Sequence, residues 1–248
     1  MRHKLFVLQT LKLPALPFYV KTSGPLLPVL LGLAGDVRIA LMIVETLALG
    51  DYQANCYIYA SETSRSGFII DPGDGSEVIL ERVKTLGLHV GYILLTHGHP
   101  DHTGALSLVR EKTGARIAMH PFDAVMLKDK FIHSMLGFSA SGIVPDHLIV
   151  QGETVSQEGI SLKVIHTPGH TPGCICLQGD GLVFTGDTLF RLNIGRTDLP
   201  GGNFEQIIGS INEKLLILPD ETVVYPGHGP SSTIGYERRA NPYLDRGY

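Results

Sequence analysis

From Met42 onward the chain alternates short apolar runs with clusters of glycine, proline and charged residues, the pattern of buried strands closed by turns. Runs over 43–49, 55–60, 67–71 and 90–95 predict strands, with a shorter one over 116–119. The second half repeats the pattern over 161–166, 174–178, 182–185 and 222–225. Helical spacing appears over 76–86, where Ser76-Glu77-Val78-Ile79 offers a cap and Gly87 a stop, over 104–114, and over 204–216. Residues 121–145 show no regular period. Strands and helices in this order predict an α/β fold with helices outside two central sheets.

The first 41 residues are of another kind, rich in leucine and proline. Arg2, His3 and Lys4 before Leu5-Phe6-Val7-Leu8 resemble the start of a signal peptide, but the run breaks at Gln9 and no small-residue cleavage site follows. The apolar stretch 25–44 is interrupted by Pro28, Asp36 and Arg38 and leaves no clean span of about 20 residues for a membrane helix. Residues 1–41 are therefore expected to be an N-terminal extension, disordered or upstream of a natural start at Met42, and 42–248 the catalytic domain.

The 248 residues, 44% of them hydrophobic, can bury one large core or two small ones. A net charge of −4 with no block of lysine or arginine argues against a nucleic-acid partner, which needs clustered cations to displace phosphate counterions. Cys56, Cys174 and Cys176 lack metal-pair spacing and are expected to be reduced, buried thiols, as suits the cytoplasm. No membrane partner is expected.

The chemistry concentrates in Thr96-His97-Gly98-His99-Pro100-Asp101-His102, directly after the predicted strand 90–95. Imidazole nitrogen and carboxylate oxygen are the groups that hold zinc or iron at a site with an open coordination position. In extended backbone, residues two apart point the same way, so His97 and His99 can grip one ion; Asp101 and His102 then suit a second ion beside it. More candidates end later apolar runs: His170 after Thr167-Pro168-Gly169, Asp187 after Thr185-Gly186, and His228 after Pro226-Gly227.

Taken in order, the HxHxDH, GH, GD and GH motifs resemble the metallo-β-lactamase fold superfamily from about Met42 to the C-terminus. The resemblance implies an αββα sandwich of two mixed β-sheets flanked by helices. It places His97, His99 and His170 on one divalent ion, Asp101, His102 and His228 on another, with Asp187 bridging them. Zn²⁺ is the expected metal, with Fe or Mn accepted by the same donors. Asp71, in Asp71-Pro72-Gly73, is implied to support the metal ligands from outside. Asp101 and Asp187 would also orient a water that loses its proton between the ions and cleaves an ester-like bond.

Phe184 to Phe190, Gly195-Arg196-Thr197-Asp198 and Tyr225 to Pro230 resemble the glyoxalase II-related (hydroxyacylglutathione hydrolase-like) branch, which implies a small-molecule thioester such as S-lactoylglutathione. The helical C-terminal extension with the basic glutathione clamp is missing here, so the likeness is to the short single-domain members. Arg196 is a candidate for a substrate carboxylate, although a salt bridge to Asp198 is the simpler role. Arg238 and Arg239 read as a solvated helix face, and His166 as a supporting or structural residue. The main alternative is persulfide dioxygenation on a single iron held by His97, His170 and Asp187. A lactonase or other ester hydrolase, and a non-catalytic metal-stabilised module, rank below it. β-Lactam hydrolysis is disfavoured by the lack of a recognisable export signal, and nuclease action by the charge pattern.

Overall fold

The computed structural model describes residues 3–8, 39–135, 137–138 and 142–244. Two mixed sheets lie face to face. The first runs β1 (His3–Leu8), β2 (Ile39–Leu49), β3 (Ala54–Ser61), β4 (Ser66–Ile70), β5 (His89–Leu94), β6 (Arg116–Met119) and β7 (His147–Leu148) in spatial order. Its strands are antiparallel as far as β4 and parallel beyond. The second sheet contains β8 (Thr154–Gln157), β9 (Ile160–His166), β10 (Ile175–Gln178), β11 (Leu182–Gly186), β14 (Val223–Pro226) and β15 (Ser232–Thr233). Only the β11–β14 pair in it is parallel. A small hairpin, β12 (Leu189–Phe190) with β13 (Asn193–Ile194), follows β11.

Side-chain alternation builds the layers. On β3, Tyr57 and Tyr59 enter the core between the sheets while Cys56 and Ile58 face the outer side. On β10, Ile175 and Leu177 point inward and Cys176 outward. Phe184 is fully buried between the sheets against Tyr57 and Tyr225, with ring centroids 5.0 and 5.4 Å away. The outer face of the first sheet is covered by α1 (Ser76–Thr85) and α3 (Leu106–Thr113), which supply Ile79, Val83, Leu106 and Val109. That of the second is covered by α5 (Phe204–Ser210), a π-helical turn Ile211–Leu215 and α6 (Ile234–Ala240), which supply Ile207, Ile211, Leu215 and Ile234. The fold is the expected αββα sandwich.

The predicted strands and long helices are present, shifted at their ends. β2 begins at Ile39, ahead of the predicted 43, because it pairs with β1 from Leu8↔Ile39 to His3↔Val44. The Leu5–Leu8 run that resembled a leader is thus part of an edge strand, which a short apolar run fits equally well. The rest of the extension, 9–38, and with it most of the apolar stretch 25–44, lies outside the described residues. No helix among the described residues is long and apolar enough to cross a membrane.

Three local readings are corrected. The cap of α1 is Gly75 in the left-handed region, with no side-chain bond from Ser76. Expected as one helix, 104–114 is preceded by a separate turn, α2 (Pro100–Thr103), whose proline stands at the first helical position. The 204–216 segment changes from α to π geometry at Ile211. β7, β8, the β12–β13 hairpin and β15 were not predicted; these strands are two to four residues long, too short to show a period. The helix face expected at Arg238 and Arg239 belongs to α6. The irregular middle contains, among its described residues, two 3₁₀ turns (Pro121–Asp123 and Met126–Lys128) and one short α-helix, α4 (Lys130–Met135). All three cysteines are buried free thiols.

Candidate metal centre

Five strand ends meet at one edge of the sandwich. The turn after β5 delivers His97, His99, Asp101 and His102; Asp71 directly follows β4; the loop after β9 delivers His170; Asp187 directly follows β11, and His228 follows β14. All seven candidate donors and Asp71 are therefore brought together. Donor atoms of His97, His99 and His170 lie within 4.8 Å of one another, as do those of Asp101, His102 and His228. Asp187 stands between the trios: one oxygen is 3.3 Å from His102 Nε2, the other 3.5 Å from His170 Nε2 and 3.6 Å from His228 Nε2.

The outward ring nitrogens are fixed. His97 Nδ1 lies 3.1 Å from Thr96 Oγ1, His102 Nδ1 is 3.1 Å from Asp71 Oδ2, His170 Nδ1 2.7 Å from the Arg196 carbonyl and His228 Nδ1 3.1 Å from the Tyr52 carbonyl. Holding Nδ1 in this way turns Nε2 of each of these rings toward the shared centre. There the nitrogens face one another: His102 and His228 Nε2 are 3.3 Å apart, and His170 Nε2 is 2.9 Å from His99 Nδ1. His97 Nε2 is buried with no hydrogen-bond partner. Asp187 Oδ1 likewise lacks one, for its approach to His102 has ion-pair distance without hydrogen-bond geometry. Buried polar atoms left unpaired are costly. A nitrogen and oxygen donor set that faces inward fits a divalent cation.

Asp71, His97 and His102 form a third close group, yet Asp71 is already engaged. Its Oδ1 accepts from Thr96 N at 2.7 Å and its Oδ2 from Thr96 Oγ1 at 2.6 Å, with His102 Nδ1 beside them. The residue sits at φ +51°, a conformation that aspartate tolerates better than most. It orients His102.

In the metal-free chain these groups perturb each other. Burial, with His170 nearby, pulls His99 down to about 4, and burial with His102 lowers His97. Burial alone would lower His102 also, but Asp187 and Asp101 overcome it and hold the ring well above the usual imidazole range. For Asp187, burial acts upward and is outweighed by His102, so the carboxyl stays well below its ordinary range.

Two close approaches require glycine. A Cβ on Gly227 would stand 2.1 Å from Asp187 Oδ1, and one on Gly173 would stand 2.4 Å from Asp123 Oδ1. Asp123 is the residue that sequence reasoning missed. Fully buried, it accepts from Gly98 N at 3.1 Å, Thr171 Oγ1 at 2.6 Å and Gly173 N at 2.7 Å. It thus ties the His97–His99 turn to the His170 loop. Burial pushes its carboxyl up, a shift that these donors partly offset. It lies in a stretch with no period and no motif; its only mark was an acid shortly after Pro121. Asn55 was missed as well: its Nδ2 donates to the Pro226 and Gly229 carbonyls, both at 2.9 Å, which anchors the loop of His228.

Arg196 does not turn its guanidinium to the centre. It forks onto Asp198 at 2.8 and 2.6 Å on the cavity rim, while its carbonyl holds His170. His166 lies apart from the donors, stacked on His120 at 4.1 Å and bonded to the Pro172 carbonyl. Arg238 and Arg239 pair with Asp220.

A model of the metallo-beta-lactamase superfamily matches residues 49–228. The chain belongs to that superfamily. Hydroxyacylglutathione hydrolase GloC of Haemophilus influenzae is 37% identical over 215 residues, 82% of this chain and 99% of that protein. Among solved structures, the BLEG-1 B3 metallo-beta-lactamase superposes with a TM-score of 0.77 at 35% identity, over 81% of this chain and 99% of that one. TTHA1623 in a di-iron-bound form does so with a TM-score of 0.73 at 37% identity, over 81% and 100%. Superfamily, fold and inward-facing donors agree on a metal-dependent hydrolase as the general class.

Proposed function

We propose that this superfamily member is a two-metal hydrolase that cleaves acyl thioesters. His97, His99 and His170 would hold one ion, Asp101, His102 and His228 the other, and Asp187 would reach both. The observation that carries this reading is the pair of complete donor trios, with the outward nitrogens of His97, His102, His170 and His228 each held from behind. Zn²⁺ suits the donors, and the di-iron form of the TTHA1623 relative supports iron as an alternative. When bound, the ions would supply Lewis acidity and make water acidic enough to ionise near neutral pH.

The chain's own groups do the rest. Asp101 Oδ2, 3.3 Å from His228 Nε2 and open to the cavity, is placed to orient water and take its proton. Asp187, kept ionised, holds the opposite side. Water's oxygen bonds to the acyl carbon, the carbon–sulfur bond breaks, and the sulfur leaves as thiol with a proton, giving acid and thiol. The likeness to GloC supports a thioester. Thiol release from S-lactoylglutathione and other acyl thioesters tests this: the metal-loaded protein releases thiol, and Asp101→Ala lowers kcat by at least about a hundredfold. Equal rates in both proteins overturn the assignment.

The alternative of a single-iron persulfide dioxygenase retains one supporting observation. His97, His170 and Asp187 converge on their own, with the two rings 5.0 Å apart and His170 Nε2 3.5 Å from Asp187. It gives no role to Asp101, His102 and His228 as a second complete trio.

A further inference from the structure

The cavity that opens on His99, Asp101, His170, Asp187 and His228 encloses about 830 Å³. Beyond these groups its wall is mostly apolar, built from Tyr52, Met126, Phe131, Phe190, Leu199 and Pro230. The fold leaves part of this wall wet: Phe131 is 71% exposed and Tyr52 45%. Large apolar side chains at a cavity mouth still have water to shed, and an apolar ligand is what removes it.

The polar side of the wall is weak. Arg196 is neutralised by its fork onto Asp198, the Arg191 guanidinium faces the ring of Tyr236 at 5.5 Å, and no lysine lines the cavity among the described residues. A thiol carrier with several carboxylates finds no cluster of unpaired cations here. A two- or three-carbon polar acyl group would leave most of the apolar wall solvated.

Resting on the thioester reading, we propose that the cavity selects thioesters whose acyl half is an apolar chain longer than about four carbons. The chain lies against Phe131 and Phe190, with its carbonyl at the histidine and aspartate cluster. Hydrolysis then yields an apolar carboxylic acid and a thiol, with water as the only co-reactant.

The test separates binding from turnover. Affinities of S-alkyl N-acetylcysteamine thioethers, which cannot be hydrolysed, are measured by calorimetry on the full chain from ethyl to octyl. Thiol release is measured for the matching acyl thioesters with metal loaded. Each methylene that leaves water tightens Kd, and raises kcat/KM, by about fourfold. From butyl to octyl the gain is on the order of a hundredfold, reduced where the chain stays partly wet. Phe131→Ala, at an exposed position where truncation spares the fold, flattens both slopes. Chain-length-independent Kd, or a slope that Phe131→Ala leaves unchanged, overturns the proposal. Thioether binding that strengthens with length beside no thiol release overturns the thioester reading and leaves the apolar cavity standing.

Discussion

Asp123→Asn tests whether the two donor-bearing loops are held by one buried carboxylate. The substitution keeps volume and shape but replaces one acceptor oxygen by an amide donor. In the native protein Oδ2 accepts from Gly98 N and Thr171 Oγ1, and Oδ1 from Gly173 N. With the amide oxygen at the Oδ2 site, the NH₂ meets the Gly173 N–H; flipped, it meets the Gly98 N–H, whereas Thr171 can turn its hydroxyl to accept. Either way one buried backbone donor loses its partner, at a cost of about 1–3 kcal/mol. Removing a charge that burial disfavours returns part of this, so a net loss of about 1–2 kcal/mol is expected. Metal affinity falls further, by about 10–100-fold, because His97, His99 and His170 are no longer held in register. Urea unfolding of the metal-free protein gives the first quantity and competition with a chromophoric chelator the second. A stability change below about 0.5 kcal/mol together with unchanged metal affinity refutes the reasoning.

Three further outcomes are expected. Gly227→Ala places a methyl 2.1 Å from Asp187 Oδ1 and 2.8 Å from His102 Cε1, so metal affinity and kcat/KM each drop by about 10–100-fold while the circular dichroism spectrum is retained. Phe184→Ala, in the inter-sheet core, costs about 3–5 kcal/mol in urea unfolding with metal stoichiometry unchanged. Metal-free stability peaks near pH 6.5. His99, lowered to about 4 by burial and His170, contributes stability above its unfolded value that is lost as pH falls from 6.5 to 4, on the order of 3 kcal/mol. His102, held high by Asp187 and Asp101 against its burial, contributes stability below 6.5 that is lost as pH rises through its folded value. Urea midpoints measured in chelator across pH 4–9 check the shape; a monotonic rise contradicts it.

The sequence disclosed the donors because their chemistry is concentrated: histidine and aspartate at strand ends beside glycine and proline have few structural uses in common. It disclosed the long strands because Tyr57, Tyr59, Ile58 and their neighbours alternate between two buried faces. What it hid depends on contacts distant in sequence. Asp123 acts through Gly98, Thr171 and Gly173, residues 25 to 50 positions away, and no local pattern marks such a partner. Arg196 offered an anion site and a fork onto Asp198 as alternatives, and the guanidinium takes the fork, the simpler role; only the use of its backbone carbonyl to orient His170 was hidden. The short edge strands were invisible because two residues cannot display a period.

Metal content per chain, measured on full-length protein purified without added metal and read beside dioxygen consumption and thiol release, tests the two-metal assignment most directly. Close to two ions per chain, thiol release and no oxygen uptake are predicted. One iron per chain with oxygen consumed and no thiol released would contradict it.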